Sequence, residues 1–512
     1  MPRIAVLLLN TLLLTGATCA VSLPLGTAVA WLLVRTDLPL RRMGLGLAAL
    51  LLFVPLYLQA AAWQAGFALQ GWYTLASAGG PLLDGWTGAV WVHAAAALPW
   101  VVLLVGAGWR WVEPELEEQA LLDGSPRQVF LHVTLRGTWP ALAMAAIWIA
   151  IVTAGEMTVT DLFGVRTYAE EVYTQIAVGE EPGVAAVGLV PGVLATALLV
   201  AAAVASASAL GVPDRPGTPR RPLCFPLGRW RWPLGLLAVA VALAMIGVPL
   251  GSLFYKAGVV VSQTAAGRVR AWSAAKCLWM IFDAPRRFAR EFGWTFLVCT
   301  LAATTAVAAA TPLAWLARRS PCGDHASHGA LPAMLVAAVC LAVPGPVLGL
   351  LVIWGLDRPE IPWLFYLYDH SILAPWLALW IRAMPVAIFC LWHALGTVPA
   401  AVLESAAIDG AGRAVLWRRI ILPLRWPAFA VAWLLALAVA LGDLSASVLV
   451  VPPGVTTIAI RIFGLLHYGV DDQVAGLCLA LLGLVALVAA AAWAILPFAP
   501  LPLASRRSER IQ

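Results

Sequence analysis

Two short stretches of this chain decide how it folds: Glu118-Gln-Ala-Leu-Leu-Asp-Gly124 and Glu404-Ser-Ala-Ala-Ile-Asp-Gly410. The residues before Gly410 predict a short helix with small side chains on one face, and glycine permits a sharp stop or a left-handed turn. The segment that follows is basic and amphipathic, and Pro423 marks the entry to the next apolar stretch. A short helix of this kind, lying on a membrane surface, can fit a groove on another protein.

The two stretches belong to an internal repeat. They lie 286 residues apart (404 − 118), and Gly155-Glu156 recurs as Gly442-Asp443, 287 residues later (442 − 155). Ala30-Trp-Leu32 recurs as Ala314-Trp-Leu316, 284 residues later (314 − 30). Three matches in one order at nearly one offset predict two copies of one unit. The copies are expected to share one orientation, as in parallel transporter repeats.

Composition places both copies in a lipid bilayer. The 512 residues are 62% hydrophobic and 11% charged, whereas a soluble chain carries about 25% charged residues. Apolar stretches of roughly the 20 residues that a helix needs to cross a bilayer recur along the chain. The expected fold class is therefore an all-α polytopic membrane protein. The net charge of +6 does not indicate a nucleic-acid partner, because the arginines punctuate apolar segments instead of forming one basic face.

Eleven transmembrane spans are predicted. They lie near residues 8–34, 44–63, 88–110, 140–158, 184–211, 233–255, 293–317, 331–354, 373–395, 428–450 and 475–498. Residues 1–211 form the first predicted repeat, 212–232 a Pro- and Arg-rich cytoplasmic linker, and 233–512 the second repeat with its core at about 290–498. No counterpart of the sixth span precedes the first copy, so either the N-terminus faces outside or the true start lies upstream.

Basic loops predict the orientation of the spans, because cytoplasmic loops carry an excess of Arg and Lys. Five basic clusters fall on one side if the spans alternate: Arg35/Arg41/Arg42, Arg215/Arg220/Arg221, Arg318/Arg319, Arg413/Arg418/Arg419 and Arg506/Arg507/Arg510. The loop 256–291 is also basic, yet we place it outside because the repeat requires that side. The expected location is the cell (inner) membrane, with several passes.

The two Glu-to-Gly stretches resemble the Glu-Ala-Ala loop of permease subunits from binding-protein-dependent ABC importers. The resemblance implies a type I ABC importer permease fold in which each loop seats a short coupling helix in an ATPase. The implied coupling residues are Glu118, Ala120, Asp123 and Gly124 in the first loop and Glu404, Ala406, Ala407, Asp409 and Gly410 in the second. The first loop departs from the pattern, with Leu121 where Ala407 stands and Arg136 near the position of Pro423.

Partners and substrate follow from the same resemblance. It implies an ABC ATPase dimer on the cytoplasmic side, a periplasmic or extracellular solute-binding protein, and no cofactor or catalytic residue on this chain. The sequence contains no Gly-rich loop ending in Gly-Lys-Ser/Thr, so ATP is expected to be hydrolysed by the partner. The fused format and the runs 442–447, 452–457 and 461–463 look most like ferric-iron permeases, and thiamine permeases share the format.

Other polar residues have less specific interpretations. Glu156 and Asp443 occupy equivalent places, and either line the transport pathway or bond across the repeat interface. The segment Cys322-Gly-Asp324-His325-Ala-Ser-His328 has metal-type ligands, but polar residues are expected in a short cytoplasmic loop, so no metal site is predicted. His93 and His393 are expected to form hydrogen bonds between helices.

Two other functions compete with an importer permease. An ion-coupled secondary transporter needs membrane-embedded carboxylates and broken helices, for which Glu156, Asp443 and Pro344-Gly-Pro346 are candidates. It does not explain two matched loops on one side. A membrane enzyme needs convergent His, Asp or Glu groups from several spans, and the sequence offers too few.

Overall fold

The computed structural model describes residues 2–77, 79–110, 112–178, 223–264, 267–317 and 326–495. The predicted fifth span and most of the linker 212–232 lie outside these residues. Within the described ranges the chain is almost entirely helical, with one antiparallel hairpin in which Val259 pairs with Trp272. The all-α polytopic membrane class is confirmed by the long apolar helices below.

Seven helices in the described part of the chain are long and apolar enough to cross a membrane: Arg3–Val34, Gly85–Gly108, Gly228–Gly258, Ala289–Ala317, Leu373–Gly396, Arg413–Gly442 and Asp471–Ile495. Three further pairs of helices pass the same test but are bent at a short break, which gives up to ten spans if each pair is one span. The total of eleven stays a prediction, as does the division into two repeats.

The chain divides into two compact units. The first comprises Met1–Ala289, Pro344–Val347 and Ile458–Leu482, and the second comprises Arg290–Val343, Leu348–Thr457 and Gly483–Gln512. These units are defined by spatial contacts, whereas the predicted domains are defined by a repeated sequence pattern. The two units therefore do not test the predicted division into two repeats.

Up to residue 287 the described helices occur in the following order: α1 Pro2–Val34, α2 Arg41–Leu51, α3 Leu56–Phe67, α4 Trp72–Ser77, α5 Gly85–Gly108, α6 Pro114–Asp123, α7 Pro126–Val129, α8 Leu135–Gly137, α9 Trp139–Gly155, α10 Thr158–Leu162, α11 Tyr168–Val178, α12 Arg231–Gly258 and α13 Ala274–Arg287. A π-helical segment, Phe130–Thr134, joins α7 to α8, and a 3-10 turn, Gly228–Trp230, precedes α12. Strands β1 (Val259–Thr264) and β2 (Gly267–Trp272) separate α12 from α13.

The remaining described helices, in chain order, are α14 Ala289–Ala317, α15 Ala326–Ala342, α16 Gly345–Leu356, α17 Pro362–His370, α18 Leu373–Gly396, α19 Ala400–Ile408, α20 Arg413–Val415, α21 Leu422–Gly442, α22 Ile458–His467 and α23 Asp471–Ile495. A second π-helical segment, Leu416–Ile421, joins α20 to α21.

Helix α1 packs closely on α5 in the core of the first unit. Ala30, Val101, Val105 and Trp109 are buried there. A side chain at Gly26 would not fit, because its Cβ would lie 2.5 Å from the Cβ of Val101. Glycine at this position therefore lets the two helices approach, as small residues do at helix contacts in membranes.

Two predicted spans prove to be bent rather than straight. The span near 44–63 is divided between α2 and the helical segment Leu56–Ser77, with an angle of 103°, and the span near 331–354 is divided between α15 and α16, with an angle of 104°. Pro55 and Pro344 stand at the two breaks. Proline lacks the N–H that would continue the helix and disfavours helical geometry in the preceding residue.

Two other predicted spans end earlier than the sequence suggested. The span near 140–158 ends at Gly155, and the span near 428–450 ends at Gly442. The next residues, Glu156 and Asp443, have extended backbones with ψ angles of 132° and 128°. The apolar residues beyond them continue the hydropathic signal but not the helix.

The basic loop 256–291 begins at the end of the first unit opposite α6. Helix α12 starts beside Pro39, close to the end of α1, and finishes where Ser252 accepts a hydrogen bond from the Trp72 indole at 2.9 Å. Lys256 and Lys276 then form ion pairs with Asp471 and Asp472 at 2.5 and 2.9 Å. The lysines of this loop therefore fix it to the start of α23.

Candidate functional site

The second Glu-to-Gly loop forms a short helix that ends in a left-handed turn. Helix α19 runs to Ile408, and Gly410 has a φ angle of +69°. The N–H of Gly410 donates to the carbonyl of Ala407 at 3.0 Å, and that of Ala411 donates to Ala406 at 2.9 Å. These two bonds define a Schellman motif, in which a glycine takes the conformation that other residues avoid. The predicted turn at Gly410 is confirmed.

The first loop ends its short helix in another way. Gly124 has an extended backbone, with φ −141° and ψ 163°, and its N–H donates to the carbonyl of Ala120 at 2.9 Å. Ser125 then caps α7, because its hydroxyl accepts from the Gln128 N–H and its own N–H donates to the Gln128 side chain at 2.9 Å. Glycine is therefore not required by a positive φ angle at position 124, and the two loops differ in local geometry.

Each loop leads into a π-helical segment. The segments begin at Phe130 and Leu416, which are 286 residues apart (416 − 130). π-helical turns are rare in proteins and often mark functional sites. The two segments recur at the same offset as the two loops, which is consistent with the predicted repeat. The sequence did not predict the π-helical segments themselves.

The predicted coupling residues differ in exposure. Exposed residues are Glu118, Asp123, Glu404, Ala407, Asp409 and Gly410, while Ala120 and Gly124 are half-buried and Ala406 is buried. The exposed members are available to a partner, whereas the buried side chain of Ala406 is not.

Sequence reasoning missed the most exposed large apolar side chains of the two loops. Leu122 is 86% exposed and Ile408 is 85% exposed. Each lies one residue before Asp-Gly, and they are 286 residues apart (408 − 122). An apolar residue in that place in both copies was the available signal. Two large apolar side chains held in solvent beside carboxylates are suited to insertion into apolar pockets of a partner.

Glu156 and Asp443 each end one helix and cap the next turn. The two carboxylate oxygens of Glu156 accept hydrogen bonds from the N–H groups of Thr158 at 2.8 Å and Val159 at 2.9 Å. The Asp443 carboxylate accepts the Ala446 N–H at 3.2 Å. Such bonds satisfy backbone donors that a new helical turn leaves unpaired.

Each of these carboxylates also faces a basic side chain within its own unit. His93 Nε2 lies 4.0 Å from Glu156 Oε2, and Arg382 Nε lies 3.5 Å from Asp443 Oδ1. His93 also contacts the carbonyl of Ala89 in its own helix at 2.8 Å through Nδ1. These contacts give both acids a structural role, and lining a pathway stays a prediction.

In the part of the chain that the structure describes, no group of three or more His, Cys, Asp or Glu side chains is placed so that it could hold a metal ion. Cys322, Asp324 and His325, which carry metal-type ligands in the sequence, lie outside the described residues.

Comparison with known proteins gives a partial relationship to a permease. No family model matches the chain. A segment of 92 residues, 18% of the chain, is 36% identical to the putrescine transport system permease protein PotI of Escherichia coli K12, and the same figures hold for PotI of Escherichia coli O6:H1. The match spans 33% of the length of these relatives. The name of this relative describes a transport system permease, and it specifies putrescine rather than iron.

Proposed function

We propose that this chain is the membrane-spanning permease of an ATP-driven ABC importer. Its two loops seat on an ATPase dimer made by another gene, and a solute-binding protein delivers the substrate from the other side. The observation that carries the proposal is the matched exposure of Leu122 and Ile408, one on each predicted coupling loop. The partial similarity to a transport system permease supports it.

The geometry of the loops favours docking of a separate protein. Full burial of a leucine or isoleucine side chain is worth about 1.5–3 kcal/mol. A partner that covers both side chains therefore gains a substantial free energy of binding. The Schellman bonds at Gly410 hold Ile408 at a fixed end of α19. A side chain presented by a rigid turn loses little entropy when it binds.

Association with the ATPase tests the proposal. We expect Leu122→Ser and Ile408→Ser each to weaken binding of the purified permease to its ATPase partner by about tenfold, which corresponds to about 1.4 kcal/mol. Leu69→Ser is the matched control, because Leu69 is 71% exposed and lies outside both loops. Undiminished binding by both loop variants, or no complex of the wild type with any ATPase, would refute the proposal.

The identity of the transported substrate is a separate part of the proposal. The sequence resemblance favours ferric iron, whereas the PotI match leans away from iron toward a small organic cation. ATPase stimulation in lipid separates these cargoes when the binding protein is loaded with ferric iron, putrescine or thiamine in turn. Stimulation by the ferric form alone would establish iron, and stimulation by another form alone would replace it.

A secondary transporter is the second candidate, because the structure contains the broken helices that this class requires. The breaks of 103° and 104° are the relevant observation. The carboxylates of Glu156 and Asp443 already accept backbone hydrogen bonds, which favours a capping role over ion coupling. Transport in vesicles that lack ATP and the ATPase would support this candidate instead.

A further inference from the structure

A buried ion pair ties the first coupling helix to the first span. Arg35, directly after α1, donates from Nη2 to the Oε1 of Glu117 in α6, and both side chains are fully buried. The hydroxyl of Thr134, at the end of the π-helical segment, donates to the same oxygen at 2.5 Å. One carboxylate oxygen therefore joins three segments: the span α1, the helix α6 and the chain leading to α9.

The end of the interhalf linker covers this pair. The N–H of Phe225 donates to the carbonyl of Arg35 at 2.8 Å, and its ring lies 5.7 Å from the guanidinium carbon. The N–H of Leu227 donates to Asp37 Oδ1 at 2.9 Å. Water is thereby kept from the ion pair on the side of the linker.

Stability alone does not account for a pair in this place. Desolvation of two charges offsets most of their attraction, so a buried ion pair is weak evidence for stabilisation. Among the described residues, Arg35 Nε and Nη1 and Glu117 Oε2 have no hydrogen-bond partner. A buried polar group with unmade hydrogen bonds destabilises the folded state. Such a pair nevertheless fixes the position of α6 relative to the end of α1, because its two charges must stay together.

The second loop lacks the residues for an equivalent pair. Leu403 and Ile420 stand where Glu117 and Thr134 stand in the first loop, each 286 residues later (403 − 117 and 420 − 134). The second loop is held instead by Arg425, whose guanidinium donates to the carbonyl of Thr397 at the end of α18. The two loops are therefore attached to their spans by different contacts.

We propose that Arg35, Glu117 and Thr134 are positioning residues that make α6 and α1 move as one body. This rests on the proposed function. Displacement of α6 by the ATPase then reaches the spans of the first unit through α1, by a contact that the second loop does not possess.

The ratio of solute taken up to ATP hydrolysed tests this role. The wild type, Glu117→Gln and Thr134→Val are compared in proteoliposomes with the ATPase and a loaded binding protein. Glu117→Gln keeps the shape of the side chain but removes its charge. We expect uptake per ATP to fall about two- to thirtyfold, the range of mutations within coupling networks, while ATPase binding is unchanged because Glu117 is buried. Glu115→Gln, an exposed carboxylate of the same helix, is the matched control.

Each outcome decides the inference. A purely structural pair would lower the amount of folded permease and leave the uptake ratio unchanged, and that result in Glu117→Gln would overturn the proposal. If Glu117→Gln fails to insert, Thr134→Val decides, because it keeps both charges, and a wild-type ratio there refutes the role. Failure of the proposed function is a separate result, in which the wild type itself binds no ATPase.

Discussion

His467 Nε2 lies 3.0 Å from Asp161 Oδ2, so that α22 of the second half of the sequence is bonded to α10 of the first half within one compact unit. The imidazole is half-exposed, and the carboxylate is less so. This contact joins residues 306 positions apart (467 − 161), and we expect it to make the stability of the first unit depend on pH.

The hydrogen bond to Asp161 raises the pKa of His467 above its usual value of 6.5, although burial acts in the opposite direction. The folded state therefore favours the protonated imidazole. Its contribution to stability is fully present below pH 6.5 and is lost as the pH rises through the folded-state pKa. We expect the melting temperature of the purified protein to fall by about 1–2 °C across that range from this pair, which is partly exposed and screened.

His467→Asn removes the titrating group and is expected to flatten this part of the pH profile. His370→Asn is the control, because His370 is an exposed histidine on α17. An unchanged profile for His467→Asn would assign the pH dependence to other groups.

Gly410→Ala is expected to destabilise the backbone conformation of the second loop more than Gly124→Ala destabilises that of the first loop. A left-handed backbone costs an L-residue about 1–2 kcal/mol, and Gly410 has φ +69° whereas Gly124 is extended. No atom lies within 4 Å of a Cβ built at Gly410, so the cost there is in the backbone alone. Gly410→Pro, which excludes the positive φ, is expected to abolish transport while the protein still inserts.

Transport and membrane insertion are measured side by side for these glycine variants. Equal transport by Gly410→Ala and Gly124→Ala would show that the left-handed turn is dispensable. Normal transport by Gly410→Pro would count against the coupling role of the loop.

Glu156→Ala is expected to destabilise the first unit by about 1 kcal/mol, the usual cost of a lost helix cap. The change removes two bonds to the N–H groups of Thr158 and Val159. Thermal unfolding of the solubilised protein measures the effect. Glu360→Ala, a change at an exposed carboxylate outside the first unit, is the control. Lost transport with unchanged stability would instead favour a pathway role for Glu156.

Lys256→Met is expected to loosen the hairpin that follows α12. The Lys256 ammonium donates to the carbonyl of Gln70 at 2.6 Å and pairs with Asp471 at 2.5 Å. Their loss should speed hydrogen exchange in β1 and β2 by roughly fivefold, which corresponds to the ~1 kcal/mol of a partly exposed pair. Arg270→Met, a change at an exposed residue of β2, is the control, and equal exchange in both variants would contradict this account.

The sequence by itself determined what depends on local or periodic signals. Apolar stretches of sufficient length predicted the membrane helices, because a bilayer requires internal hydrogen bonding over about 20 residues. Glycine before a basic segment predicted the turn at Gly410, since only that residue type adopts a positive φ angle readily. The loops themselves were recognisable from residue types at fixed spacing.

Tertiary structure decided which residues of these elements meet. Hydropathy could not reveal the bends at Pro55 and Pro344 or the helix ends at Gly155 and Gly442, because the apolar pattern continues through them. The exposure of Leu122 and Ile408 depends on how the chain around each loop packs. Arg35 and Glu117, 82 positions apart, are brought together only by the packing of α6 beneath the end of α1. Contacts of such long range carry no periodic signal, so only the folded chain specifies them.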